Sequence, residues 1–320
     1  MLDPQARALL DLISARGVPP THTLSPDEAR RAYRDRRHVT QPEAPPVAQV
    51  LEMSAPGADG PVPLRLYRSA GAPASGAPVL VYFHGGGWTM GDLDTHDTLC
   101  RSLANDAACV VVSVDYRMGP EQRFPAAVHD CLAATRWLHG QAGALGLDAK
   151  RLAIGGDSAG GNLAAVVALQ LRDLADAAGA ANTADTCRPV LQLLIYPATD
   201  MRALAPSHTV NGDGYLLTRD TIAYFRNHYM GDAPLADWRA SPLLHDDLSR
   251  LPPALVLTAG YDPLRDEGRQ YADALSAAGT PTQYICFERQ IHGFILMGRV
   301  LDEAHTAVGL CALALRRAFG

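Results

Sequence analysis

Two glycine clusters each follow an apolar run. One is His84-Gly85-Gly86-Gly87-Trp88, directly after Val79–Phe83; the other is Gly155-Gly156-Asp157-Ser158-Ala159-Gly160-Gly161, after "RLAI". The second contains Gly156-x-Ser158-x-Gly160 at an expected strand-to-helix turn. A turn that tight forces its central residue into a strained conformation, and a side chain two positions away on either side would collide with it. The hydroxyl of Ser158 is thereby lifted above the carboxyl edge of a sheet, at a helix N-terminus. Unpaired N–H groups there favour a developing anion. The plainer alternative is a structural turn with an incidental serine; the strand–turn–helix context favours a nucleophile. Neither cluster suits a phosphate. No Lys-Ser/Thr follows either one, and G-x-G-x-x-G fails at Met90 in the first and at Asp157 and Ser158 in the second.

A serine hydroxyl needs a base to take its proton. In a strand–turn–helix arrangement of this kind the partners follow in the order nucleophile, acid, base. Of the 11 histidines, His292 and His305 come late enough. His305 falls inside the last expected helix, whereas His292 follows a strand with Gly293 beside it. His292 is therefore the expected base. Asp262, directly after "ALVLTAGY", is the acid expected to orient the imidazole. Asp266 and Glu267 are assigned to the start of the following helix, where negative charge suits the dipole.

Acyl transfer through Ser158 passes through an oxyanion, and each donor aimed at it is worth roughly 3–4 kcal/mol. Backbone amides approach closely only where no side chain intervenes. This gives the glycine run a purpose, with the N–H groups of Gly85, Gly86 and Ala159 as expected donors. His84 is read as a brace for the loop. Trp88 has two readings, a wall of the acyl pocket or a packed aromatic at the base of the loop.

Strand-like runs that position these groups lie at Val47–Met53, Pro63–Tyr67, Pro78–Phe83, Cys109–Val114, Arg151–Ile154, Val190–Tyr196, Ala254–Ala259 and Gln283–Phe287. "APGADG" turns the first pair into a hairpin. Helices are expected at Pro125–Leu138, Gly161–Ala177, Thr218–Tyr229, Arg265–Ala278 and Asp302–Phe319. Two more occupy the first ~40 residues, the second opened by a Ser25/Glu28 capping box with Pro26 at its first position. Alternating strands and helices argue for an α/β fold: a mostly parallel eight-stranded sheet covered on both faces. The alternation breaks over 198–241, the size of an insertion that covers a site. The expected organisation is a catalytic domain of 46–197 and 242–320, N-terminal cap helices at 1–45 and a cap insertion at 198–241. "RSAGAPASGAP" and "AAGAANTADTC" read as exposed loops.

The chain has 320 residues and a net charge of −6. No basic stripe could neutralise a nucleic-acid backbone. Arg30, Arg31, Arg34, Arg36 and Arg37 are interleaved with Glu28 and Asp35 and are read as a solvated helix face. No apolar run approaches the ~20 residues that span a bilayer. The first residues show no signal-peptide pattern, and the 6 cysteines are scattered. A cytoplasmic protein with reduced thiols is expected. A homodimer is compatible with a last strand at an exposed edge.

At this point the sequence resembles the hormone-sensitive-lipase family of α/β-hydrolases, the bacterial family IV esterases. The matching stretches are "HGGGW" with "GDLDTHD", "VDYRMGPEQRFPAAVHD", "GGDSAGGNLA", "YPATD", "DPLRDEG" and "IHGF". They run in order from about residue 60 to the C-terminus. The resemblance implies the α/β-hydrolase fold, catalytic Ser158, Asp262 and His292, oxyanion donors Gly85, Gly86 and Ala159, a helical cap, no cofactor, and short- to medium-chain acyl esters as substrates. One departure stands out. Similar proteins usually carry Leu-Ala-Pro-Glu-His where this chain has Met118-Gly119-Pro120-Glu121-Gln122. That change is expected to touch packing, with Asp115, Arg117, Glu121 and Arg123 forming an ion-pair cluster nearby. Other functions compatible with the triad are an amidase, a transacylase or an eliminating dehydratase. A non-catalytic small-molecule receptor on the same fold is disfavoured, because such relatives typically lose a triad member.

Overall fold

The computed structural model describes residues 1–177 and 186–320. Strands β1 (Gln49–Gly57), β2 (Gly60–Arg68), β3 (Ala77–Phe83), β4 (Val110–Val114), β5 (Leu147–Asp157), β6 (Gln192–Ile195), β7 (Ala254–Tyr261) and β8 (Thr282–Ile291) form one sheet in the order β1-β2-β4-β3-β5-β6-β7-β8. The β1/β2 hairpin and the β2/β4 pair are antiparallel; all other neighbours are parallel. Every residue of β3 and β4 is buried, as strands covered on both faces require.

Alternation along these strands sorts the core into two layers. Val79, Val81, Phe83, Val110, Val112 and Val114 face helices α4 (Ala126–Gln141), α5 (Ala159–Ala177) and α8 (Arg265–Ala277). Leu80, Tyr82 and Val111 face the opposite layer, with α3 (Asp97–Ala107) and α9 (Glu303–Phe319). Helix α3 falls where no helix is expected from the sequence. It nevertheless buries Leu99, Cys100, Leu103, Ala104 and Ala107, a helical stripe.

Helices α1 (Pro4–Ala15) and α2 (Pro26–Thr40) open the chain; α2 carries the expected capping box. Residues 198–241 hold α6 (Ser207–Val210) and α7 (Arg219–Met230). Ala29 of α2 clusters with Met90, Leu217, Phe225 and Leu264, so α2 and the insertion pack together above the carboxyl edge of the sheet. The first helix behaves differently. Leu2, Ala6 and Leu9 join the layer containing α9, and the amide of Asp3 donates to the Arg289 carbonyl at 2.9 Å. Of "RSAGAPASGAP", the middle is exposed at Ala70, Gly71, Pro73, Ala74 and Ser75, whereas Ser69, Ala77 and Pro78 are buried. Of "AAGAANTADTC", 178–185 lie outside the described residues.

Two expectations about charge are corrected. Three of the five α2 arginines, Arg30, Arg34 and Arg37, are engaged rather than solvated, while Arg31 is exposed as expected. Arg30 donates to the carbonyls of Thr89 and Gly119 and forms two bonds with Glu121; Arg34 pairs with Asp92; Arg37 donates to the Asp94 carbonyl. They fasten α2 to the loops after β3 and β4. Nor do Asp115, Arg117, Glu121 and Arg123 pair among themselves. Arg117 bonds Asp130 and Asp59, and Glu121 belongs to Arg30. Partial burial pushes the Asp115 carboxyl up to about 6.

Candidate active site

Strand β5 ends at Asp157 and α5 begins at Ala159, so Ser158 alone makes the turn, at φ 56°. For a non-glycine residue this left-handed conformation is strained. The flanking glycines are required, but the obstacle differs from the expected one. A Cβ on Gly160 would lie 1.8 Å from the Phe83 carbonyl oxygen, and one on Gly156 would lie 2.3 Å from that same oxygen and 2.5 Å from the Gly160 backbone. The end of β3 therefore crowds the elbow from beside.

His292 brings its Nε2 to 2.9 Å from Ser158 Oγ, and its Nδ1 lies 2.7 Å from Asp262 Oδ2. Since an ionised carboxylate only accepts, Nδ1 carries the ring hydrogen, leaving Nε2 free to receive the serine proton. Asp262 is fully buried at the end of β7. Its Oδ1 accepts from the Leu264 amide at 2.9 Å. Asn211, from the 198–241 segment, donates to the main-chain carbonyls of Gly260 and Asp262 at 3.1 Å each. Strand β8 runs past Phe287 to Ile291 and delivers His292 directly, with Gly293 at φ 80° releasing the chain behind it. The Tyr196 ring packs 4.6 Å from the His292 ring, centroid to centroid. His305 is on α9, bonded to the Gly298 carbonyl.

The first glycine of the loop has a different job from the one expected. The Gly85 N–H donates to Asp157 Oδ1 at 2.9 Å, so it is already committed inside the protein. Asp157 is buried and also accepts from the Tyr82 hydroxyl at 2.8 Å. Burial pushes its carboxyl up, but the His96 ring and the Tyr82 hydroxyl outweigh this and hold it below the usual range. The neighbouring amides of Gly86 and Gly87 have no acceptor among the described residues. All three glycines lack room for a side chain. A Cβ would sit 2.3 Å from Asp157 Oδ2 at Gly85, 2.2 Å from the Met90 carbonyl oxygen at Gly86, and 2.2 Å from the Phe225 ring at Gly87. The Ala159 N–H opens α5, where the first amides have no partner within the helix.

His84 is buried and bonded to the Gly85 carbonyl, and its ring stacks on Tyr116 at 4.3 Å. Burial lowers it to about 4, so it stays neutral and braces the loop. Trp88 is packed, stacked on Tyr229 at 4.7 Å, and also borders the cavity above Ser158. Gly119 donates to the Trp88 carbonyl, and a Cβ on it would meet the His228 carbonyl at 2.4 Å. The segment that departs from similar proteins is thus a packing support for the glycine loop.

Sequence reasoning missed two contributors besides Asp157. Glu267 is not only a helix-start residue. It is buried, bonds His208 of α6 at 2.5 Å and accepts from the Thr199 amide at 2.7 Å, tying α8 to the insertion. Asn211 lay in an insertion with no periodic signal; the Asp inside "GDSAG" at least sat within a motif. Above the triad is a cavity of about 110 Å³. A second cavity, of about 540 Å³, lies under α1 and α2. Tyr33, Arg36, Met90 and Leu216 line both.

The family model described as the α/β hydrolase fold matches residues 80–296. The chain is 41% identical over 323 residues to the ethyl acetate hydrolase of Pseudomonas putida, covering 99% of both proteins. The chain belongs to the hormone-sensitive-lipase family of α/β-hydrolases. The carboxylic ester hydrolase LipN of Mycobacterium tuberculosis is 49% identical over 249 residues, 77% of this chain and 64% of LipN. The chain is thus similar to somewhat under two thirds of LipN's length but to the whole of the Pseudomonas enzyme. Among solved structures, the lake-metagenome ester hydrolase EH1AB1, bound to a bipyridine phosphonate derivative, superimposes with a TM-score of 0.93 at 43% identity over the full length of both chains.

Proposed function

We propose that this family member is a serine carboxylesterase acting on short- to medium-chain acyl esters. Ser158 Oγ attacks the ester carbonyl while His292 Nε2 takes its proton, and Asp262 steadies the resulting imidazolium. The oxyanion is held by the amides of Gly86, Gly87 and Ala159, with Gly85 replaced in that role because its N–H is occupied. His292 then protonates the leaving alcohol, and water activated by the same ring releases the acid from the acyl-enzyme. The observation that carries this reading is the continuous Asp262–His292–Ser158 chain, at 2.7 and 2.9 Å, beneath the 110 Å³ cavity. Relatives named for ester hydrolysis across the full chain length support it. Trp88, as one wall of that cavity, is the proposed substrate contact. The small cavity favours a short acyl group.

In this reading the cap consists of the N-terminal segment and 198–241 over a catalytic domain of 46–197 and 242–320, with α1 serving as an anchor on the domain side. Six free cysteines fit a reducing compartment, hence the cytoplasm. No helix among the described residues is long and apolar enough to cross a membrane. Strand β8 ends the sheet and offers an edge for a second copy; sedimentation would report the dimer.

The test is a burst of nitrophenol from p-nitrophenyl butyrate and a single organophosphonate adduct on Ser158. Ser158→Ala should lower kcat by about 10⁴-fold or more while leaving the thermal midpoint in place. Retained turnover would refute the assignment. A panel of amides and alcohol acceptors distinguishes an amidase or transacylase from an esterase.

A further inference from the structure

The charges lining the catalytic cavity do not balance. Its carboxylates are all committed. Asp157 is bound by Tyr82, Gly85 and His96; Asp200 by three bonds from the Arg202 guanidinium; Glu267 by His208 and two backbone amides. Its two arginines have no carboxylate partner among the described residues. Arg36, on α2, has its guanidinium 4.7 Å from the centroid of the Tyr33 ring and no carboxylate within ion-pair distance among the described residues. Arg226, on α7, reaches only the Met201 carbonyl, at 3.4 Å. Both are half-buried, and both come from the cap side. This contrasts with the other arginines of α2 discussed above, since Arg30 and Arg34 are each matched to a carboxylate.

A half-buried guanidinium facing an apolar cavity is a strong and selective donor for a planar carboxylate. Arg36 also stands where the 110 Å³ catalytic cavity adjoins the 540 Å³ cavity under α1 and α2. Asp35 and Arg16 line that larger cavity but not the catalytic one. A substrate held by Ser158 would share its cavity with Arg36 and Arg226.

We infer that the preferred substrates are esters bearing a second, free carboxylate, such as monoesters of dicarboxylic acids, and that Arg36 and Arg226 of the cap select them. This deepens the esterase reading and rests on it for the identity of the cavity. The scissile ester lies over Ser158 and the free carboxylate meets the arginines, while the intervening methylenes contact apolar walls such as Leu217 and Ile222.

Binding separates this inference from the question of turnover. In the Ser158→Ala protein, calorimetry with monoethyl adipate and with diethyl adipate should show the monoester binding tighter by about tenfold, the size of one hydrogen bond to a charged group. Adding Arg36→Gln or Arg226→Gln should cut that preference at least about threefold, and Arg36→Lys should restore part of it, since a cation without the planar fork remains. Diester binding as tight as the monoester, no detectable monoester binding, or a preference that survives both Gln substitutions would overturn the inference. Hydrolysis of neutral p-nitrophenyl butyrate by the otherwise wild-type protein is the separate arm. Its absence would sink the esterase reading.

Discussion

The turn that carries Ser158 and the loop that carries the candidate oxyanion amides are both rich in glycine, yet different parts of the molecule crowd them. At the elbow, the added Cβ atoms of Gly156 and Gly160 both meet main chain: the Phe83 carbonyl in each case, with the Gly160 backbone beside the first and the His84 carbonyl beside the second. At the loop, the added Cβ of Gly87 meets a side chain, the Phe225 ring of α7. Ser158, the proposed nucleophile, is therefore placed by the rigid sheet. The electrophilic side of the site is placed partly by the cap, through Phe225 above and the Arg30 bonds to Thr89 and Gly119 beside it. A change in the cap would thus shift the proposed oxyanion loop without disturbing the serine.

The sharpest way to break this contrast is at the elbow. Gly160→Ala sets a methyl 1.8 Å from the Phe83 carbonyl oxygen, with no flexible atom to give way. The cost should be about 3 kcal/mol or more, which for a chain of this size lowers the thermal midpoint by roughly 5 °C or more. Activity should disappear with it. No compensating side-chain truncation should rescue either, and recovery by any such second change would mean the elbow is not fixed by backbone.

Gly87→Ala should behave differently. The left-handed φ of 62° costs an alanine about 1 kcal/mol, and displacing the Phe225 ring adds roughly 1–2 more. The expected result is a fall in kcat of roughly 30- to 100-fold with a modest loss of stability. Phe225→Ala in the same protein should recover a substantial part of the lost kcat, a positive coupling that a double-mutant cycle measures directly. Simple additivity of the two changes would show that the loop does not lean on the cap.

The same contrast explains what could be read from sequence. That Ser158, Asp262 and His292 come together was legible because the proposed chemistry demands fixed residue types at strand ends, in fixed order. Elements with conventional start signals, such as α2 with its Ser25/Glu28 box, were legible too. Helix α3 was not. His96 makes no side-chain cap bond at its start, and Ala108 at φ 50° closes it where a glycine stop would be looked for. The sequence pattern ends strand β8 at Phe287 because Glu288 and Arg289 are exposed on the edge of the sheet, where charge is tolerated. Arg30, Arg34 and Arg37 are not legible as fasteners because their partners, the carbonyls of Thr89, Gly119 and Asp94 and the carboxylates of Asp92 and Glu121, all lie on loops more than 50 residues away. Gly85 was counted as a donor to substrate because the competing acceptor, Asp157, is named in a different motif.

Asp157 is where the two glycine turns meet, so it probes their union. Asp157→Ala leaves the Gly85 N–H and the Tyr82 hydroxyl buried without their acceptor. Each such loss costs about 1–3 kcal/mol. Stability should fall by that order, and kcat should drop about tenfold as the loop loses its tie to the elbow. Asp157→Asn keeps an acceptor oxygen and should retain more of both. Equal damage from the two substitutions would assign the effect to charge against His96 and not to the hydrogen bond that ties the turns.

The smallest expected effect is at the clasp between α2 and the loop after β4. The Arg30 guanidinium bonded to Glu121 holds that carboxyl down at about 2, below its ordinary value of 4.5. A depressed acid contributes stability that is present above the ordinary value and is lost as pH falls through the folded one. Glu121 is over half exposed, so solvent screening leaves well under 1 kcal/mol. Glu121→Gln should therefore melt slightly below the wild type at a nearly constant offset from pH 6 to 8. The two melting curves should converge as pH drops from about 4.5 towards 2. Because Arg30 keeps its bonds to the Thr89 and Gly119 carbonyls, KM should change by no more than about twofold. A large loss of kcat from this one exposed substitution would mean that the carboxylate, and not the paired carbonyls, is what fixes the glycine loop to the cap.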